Sequence, residues 1–323
     1  MSTFFLQRGI RLPIGRPIHI DVAELAAGSN GADTGHGTQI SHTNPLENRI
    51  ERFLAERGHT VILRLADVDP LCQAQRAEVS LVRNDENTVR RAVALLKERT
   101  GVPDIVIACH KGQDIGVWGQ HAAQVLRVHH AHYPMMSTPC LAKRLIKGQP
   151  VLTEDLQIKG VLVADPGELL DMVMPGRKFV VSFIQPREIK NVFVRRGTTV
   201  ARLLDALNVL VSDQRLVMGT PLTGDACIQL NAVIETDSIS ICGATETLNL
   251  NRPCCNCGKC VKVCPSGLQP GLLSKHIFIS NFDVAKALNV QSCIECGCCS
   301  YVCPSRRPLV EYMRWGKKGG AAT

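Results

Sequence analysis

The chain has 323 residues, of which 45% are apolar and only 4% aromatic, with a net charge of +8 and 15 cysteines. That length supports two or three domains with ordinary cores, and no run of eighteen apolar residues exists to cross a membrane as a helix. The start, Met1 to Arg8, is too short in its apolar part for a signal peptide, so the expected setting is the reducing cytoplasm, and basic residues without interleaved aromatics argue against nucleic acid.

Residues 1–44 read as an irregular segment: an Arg/Pro stretch from Arg8 to Pro17, then the glycine-rich Gly28–Thr38. Such a loop can cradle phosphate, but neither Walker nor dinucleotide spacing is present, and a flexible linker is the competing reading. From Asn44 the pattern tightens, with Asn44 as N-cap, Pro45 at the first helical position and Gly58 closing the helix. Strands are predicted over 60–66, 78–82, 104–108 and 158–164, and helices over 85–99, 120–128, 140–147 and 165–174. Strands and helices alternating at these lengths predict an α/β domain with a largely parallel sheet over residues 45–176.

His129, His130 and His132 follow one of these helices, where metal ligation competes with solvated loop histidines, and no suitably spaced fourth ligand is near. After Pro175-Gly176 come short β segments at 178–184 and 190–194 and a helix from Thr199 to Leu207, a β-grasp-like α+β module over residues 177–250. The two glycines of Gly219–Gly224 mark a turn after the apolar 215–219.

Residues 251–323 contain ten of the fifteen cysteines. Cys254, Cys257, Cys260 and Cys264, followed by Pro265, repeat the spacing of Cys293, Cys296, Cys299 and Cys303, followed by Pro304. Both read C-x2-C-x2-C-x3-C-P, the two-cluster ferredoxin run in which three thiolates wrap one [4Fe-4S] cube and the fourth reaches the other. Cluster one is thus expected on Cys254, Cys257, Cys260 and Cys303, and cluster two on Cys293, Cys296, Cys299 and Cys264. Zinc sites usually close with C-x2-C pairs set apart from one another, and a disulfide framework does not suit this length or compartment. Cys255 and Cys298 fall off the ligand register. Cys72, Cys109, Cys140, Cys227 and Cys242 are scattered and read as small core residues. One long helix, about 268–290, is expected to link the runs. The basic residues Arg306, Arg307, Arg314, Lys317 and Lys318 form either a surface that steers an acidic redox partner or meets an anionic membrane, or a solvated face.

The end of the chain, Cys296-Gly-Cys-Cys299-Ser-Tyr-Val-Cys303-Pro-Ser-Arg-Arg-Pro308-Leu-Val-Glu-Tyr312, resembles the CGAC-x-x-VCPS-x-x-PLV-x-Y ending of the RnfC subunit of the Rnf electron-transport complex, a relative of the NADH-oxidising flavoprotein subunit of complex I. Val194 to Leu207 is similar to the family's β-grasp segment. Leu216–Gly224 is similar to its MGGPMMG turn, and Tyr133-Pro134 and Leu145–Pro150 match more faintly. The family's GLGGA-x-FPTH-x-K and NGAECEPY motifs are absent, so the resemblance carries no FMN or NAD(H) site onto these residues. It implies an iron-sulfur subunit with two [4Fe-4S] clusters, relaying single electrons between a redox donor and acceptor within a larger complex, peripheral to the membrane's inner face. A flavin-dependent NADH or cobalamin reductase with a divergent loop is the alternative.

Overall fold

The computed structural model describes residues 10–11, 23–24, 45–69, 72–129, 132–145, 158–185, 188–210, 215–227, 229–242 and 253–319. Gly28–Thr38 and Asn44 lie outside them. Two short strands, β1 (Ile10–Arg11) and β2 (Ala23–Glu24), precede helix α1 (Pro45–Ala55). Then follow β3 (Thr60–Arg64), α2 (Ala74–Val82), α3 (Glu86–Thr100), β4 (Ile105–His110), β5 (Gln124–Val128), β6 (His132–Tyr133), α4 (Thr138–Leu145), β7 (Val161–Ala164) and α5 (Pro166–Val173). Strands β5, β4, β3 and β7 lie side by side in that order, all parallel.

Alternation along β3 fixes how this sheet is covered. Val61 and Leu63 point to one face, packed by Leu46, Ile50 and Phe53 of α1, by Val89, Val93 and Leu96 of α3, and by Leu169 of α5. Ile62 points to the other, against Met135, Met136, Cys140 and Leu141 from the segment leading into α4. Each of the three β3 side chains is fully buried, a gain of about 1.5 to 3 kcal/mol apiece. Asp85 caps α3 by accepting the Thr88 N–H at 3.0 Å, and Gly101 closes it in the left-handed conformation. α5 opens with Pro166 after a capping box between Asp165 and Glu168.

Three expectations change here. Residues 78–82 are helical, not a strand: Ala74, Glu78 and Val79 share a buried face at helical spacing, and Glu78 accepts the Val180 N–H at 2.8 Å and pairs with Arg177 at 2.7 Å. Residues 120–128 are a short 3-10 turn and the edge strand β5, whose largely exposed pattern hides the two-residue period. Gly58 does not close α1 by a left-handed turn, since Arg57 takes positive φ; a side chain at Gly58 would collide with the Phe53 ring.

A second sheet follows, from β8 (Phe179–Ile184), β9 (Ile189–Val194), α6 (Val200–Ala206), β10 (Arg215–Met218), β11 (Asp225–Ala226) and β12 (Ser238–Cys242). Its order is β11-β10-β12-β8-β9-β2, with β8 antiparallel to β9 and parallel to β12. Val200, Leu203 and Leu204 of α6 seal one face. The other face meets α2 through a polar seam in which Ser182 accepts the Gln73 N–H at 2.9 Å and donates to Asn191 at 2.8 Å.

The cysteine-rich end carries α7 (Lys259–Val263), α8 (Pro270–Phe278), α9 (Phe282–Ala287), α10 (Cys298–Tyr301) and α11 (Leu309–Lys317). Leu273, Ile277, Val290, Tyr312 and Met313 form its core. The expected single linking helix is two: Ser280 has φ 57°, and Asn281 then caps α9 by accepting the Val284 N–H. Among the described residues, no helix is long and apolar enough to cross a membrane.

Candidate metal centre

Both cysteine runs fold by the same local rule. Asn256 and Gly258 in the first, Glu295 and Gly297 in the second, all have positive φ, and each glycine stands immediately before a short helix, α7 or α10. Alternating left-handed residues turn successive N–H groups toward one side, the conformation that makes anion-binding concavities. Glu295 is held in this unusual conformation by side-chain pairs to Lys317 at 2.7 Å and Arg314 at 3.2 Å.

Two hollows result. Cys254, Cys257, Cys260 and Cys303 border one, of about 320 Å³, with Cys255 and Arg307 also on its wall. Cys264, Cys293, Cys296 and Cys299 border the other, of about 330 Å³, with Cys298 as a fifth thiol. Backbone N–H groups already reach two sulfurs of the second: Leu268 donates to Cys264 Sγ at 3.3 Å and Glu295 to Cys293 Sγ at 3.4 Å. Four thiols converging on each hollow, with amide donors beside them, fit a thiolate-ligated iron-sulfur cube.

The surroundings of the two hollows differ. Cys255 and Cys257 are exposed, whereas Cys264, Cys298 and Cys299 are buried. The wall of the second hollow is shared with the rest of the protein. The Tyr133 hydroxyl donates to the Cys296 carbonyl at 2.6 Å, Ile294 packs into the core under α4, and Gly297 lies against the Leu222 carbonyl so closely that a Cβ there would overlap it. Arg314 donates to the Thr223 carbonyl at 3.0 Å, tying α11 to the same loop. Burial pushes the Cys293 thiol up to about 12 and raises Cys264 and Cys299, while the Cys298 thiol, hydrogen-bonded to Cys296, lowers that one. Buried thiols of this kind keep their protons until a metal displaces them.

The basic run is not one surface. Arg314 pairs with Glu295, Glu311 and Asp225, and Lys317 pairs with Glu295 and donates to the Cys293 carbonyl at 3.1 Å. Arg307 is 6% exposed, inside the wall of the first hollow. Only Arg306 and Lys318 of the five are exposed. The apolar Pro308-Leu309-Val310 that follows Arg307 was the signal in the sequence that the run turns inward. His129 is exposed, and the side chains of His130 and His132 lie outside the described residues. Cys72, Cys109 and Cys140 are buried and Cys227 is half-buried; the side chain of Cys242 is outside the described set.

At the crest of the parallel sheet lies a polar cluster without a sequence signature. Arg64 pairs in two-pronged fashion with Asp165 at 2.6 and 2.7 Å. Beside it Asp67 accepts the Gln75 and Arg76 N–H groups, and burial raises its carboxyl to about 6. The Asp67, Cys72 and Asp237 ligand atoms lie within 4.8 Å of one another. Asp237 accepts from the Gln75 side-chain amide at 3.2 Å, and burial also raises its carboxyl.

Residues 247–304 match the family described as a 4Fe-4S dicluster domain. The chain is 36% identical over 141 residues to the RnfC-type component of the proton-translocating ferredoxin:NAD(+) oxidoreductase complex of Clostridium ljungdahlii, covering 42% of this chain and 31% of that protein. It is 27% identical over 278 residues to the corresponding component of the ion-translocating oxidoreductase complex of Rhodobacter capsulatus, covering 80% of this chain and 53% of that one. The chain thus spans about half, or less, of the length of these relatives. In overall trace it is also similar to a chain of the NAD+-reducing [NiFe]-hydrogenase in the H2-reduced state, with a TM-score of 0.46, 10% identity, and 85% of this chain and 58% of that chain covered.

Proposed function

We infer that this RnfC-like chain, whose cysteine-rich end is a 4Fe-4S dicluster domain, is an iron-sulfur electron-transfer subunit that relays single electrons between redox proteins, other subunits of a complex among them. The observation that carries this is the doubled thiol set around two separate hollows. A [4Fe-4S] cube supplies reversible one-electron exchange when bound, at a potential set by charge, hydrogen bonds to sulfur and solvent exposure. Cys254, Cys257, Cys260 and Cys303 would hold the first, and Cys293, Cys296, Cys299 and Cys264 the second. The N–H groups of Leu268 and Glu295 would stabilise thiolate charge on Cys264 and Cys293, and the buried wall of Tyr133, Leu222 and Ile294 would keep water from the second. The exposed rim of the first suits approach by a partner's redox centre.

The sheet order around α6, with β8 between β9 and β12, supports a β-grasp-like module over 177–250, between an α/β domain at 45–176 and the cluster module at 251–323, with 1–44 as a separate N-terminal segment. The relatives are named as subunits of ion-translocating complexes, which supports docking beside a membrane with no spanning helix among this chain's described residues.

Anaerobic purification with iron and sulfide analysis is the test: about eight of each per chain are expected. One or two zinc ions, with no iron after reconstitution, would remove the proposal. A flavin band in the same spectrum, together with NADH-dependent dye reduction, would favour the reductase alternative; neither is expected.

A further inference from the structure

Arg307 is a buried cation without a carboxylate partner. Its side chain is 6% exposed, its Nε is enclosed without a hydrogen-bond partner, and among the described residues it forms no ion pair. Its guanidinium carbon lies 5.4 Å from the Tyr312 ring centroid, a contact that orients the group but supplies no full negative charge. A buried, uncompensated cation is costly, and proteins keep one where an anion is expected. Arg307 lines the hollow bordered by Cys254, Cys257, Cys260 and Cys303.

The second hollow has its own cation nearby, but a neutralised one. Lys317 reaches the Cys293 carbonyl at 3.1 Å while paired to Glu295 at 2.7 Å, with Arg314 on the same carboxylate. The two hollows therefore offer similar thiol sets in unlike fields. In the resemblance drawn from the sequence, Arg307 occupies an unspecified position of the motif.

We propose that Arg307 is the counter-ion of the first cluster and sets the two clusters' potentials apart, making the first the stronger electron acceptor. The inference rests on the two-cluster reading above. A cube with four thiolates is dianionic when oxidised and trianionic when reduced, so a fixed buried cation stabilises the reduced form more. Arg307 touches no reacting atom of a substrate; it acts by positioning charge, and low dielectric around it keeps that charge from being screened.

The test is a reductive titration, followed by electron paramagnetic resonance, of the reconstituted full chain as wild type, Arg307→Gln and Arg307→Lys. Iron counting on the wild type checks the two-cluster reading separately, since a wild type without about eight irons fails before any potential is measured. With clusters present, Arg307→Gln should lower one potential by at least about 59 mV, a tenfold change in a one-electron equilibrium, and leave the other in place. Arg307→Lys should stay near wild type. Loss of the first cluster in Arg307→Gln with retention in Arg307→Lys would also support a charge role. Unchanged potentials in Arg307→Gln, equal shifts in both clusters, equal shifts in Gln and Lys variants, or loss of the cluster in both variants would overturn the proposal and leave Arg307 a packing residue.

Discussion

The two hollows begin from one sequence rule and end in different places. Each is opened by a cysteine, a left-handed residue, a second cysteine and a left-handed glycine, yet the first stands at the surface with Cys255 and Cys257 exposed, while the second is wedged against Tyr133 and Leu222. The glycines show the difference most sharply. Around Gly258 nothing lies within 4 Å of where a Cβ would stand, whereas at Gly297 it would overlap the Leu222 carbonyl. A motif therefore specifies ligands, and the remainder of the chain decides what each ligand set can meet.

The largest expected effect comes from the crossed ligands. Cys264→Ser should cost the cluster held by Cys293, Cys296 and Cys299, and Cys303→Ser the other, each leaving about half the iron. Iron analysis with paramagnetic resonance checks this, and loss of the first cluster's signal from Cys264→Ser would break the pairing. Next in size is the glycine pair. Gly258→Ala should cost about 1 to 2 kcal/mol for a left-handed alanine, and Gly297→Ala more, because the backbone of the 219–224 loop must also move. Equal losses on denaturant unfolding would show that the second hollow is not clamped by that loop.

The body against which the second hollow rests should respond to pH. Asp67 next to Val68, which packs with Tyr133 and Cys298, has its carboxyl raised by burial from 3.8 to about 6. Its folded form thus binds the proton more tightly than the unfolded chain, so its contribution is present below about pH 4 and lost as pH rises through 6. That loss is about 1 to 3 kcal/mol. Asp237 and Glu168, raised chiefly by burial, act with the same sign. Asp67→Asn should flatten the fall in melting temperature between pH 4 and 6; an unchanged slope would remove Asp67 as its source. The smallest effect belongs to the exposed charges. Replacing Arg306 and Lys318 with Gln should change stability by less than about 0.5 kcal/mol and only weaken the salt dependence of reduction by an acidic donor. Stopped-flow rates across a salt series would read it, and identical slopes would exclude docking at this face.

The ligand sets were legible because spacing is local: eight cysteines within fifty residues carry their own register. The sheet strands β3, β4 and β7 were legible too, as apolar runs bounded by caps. What escaped was set by distant partners. Glu78 looked like the start of a strand because Val79-Ser80-Leu81-Val82 suits either period, and only Arg177 and the Val180 amide explain why a carboxylate is buried there. β5 escaped because an edge strand need not alternate. The basic run read as a surface because charge says nothing about direction, and Arg307, Arg314 and Lys317 each turn toward something different.

The hydrogen bond from Tyr133 to Cys296 spans 163 residues of chain. Contacts of such separation come late in folding, since the loop they close must be ordered before the contact rewards it. The first hollow draws on Cys254 to Gly271 and Cys303 to Leu309, all inside the terminal segment, so it can take shape from nearby residues. Residues that emerge early from the ribosome supply Tyr133 and the loop at Leu222, and the last cysteines must wait for that surface to be in place. Maturation should therefore run in sequence, with the outer site formed first and the inner one completed as the end of the chain settles onto an already folded body.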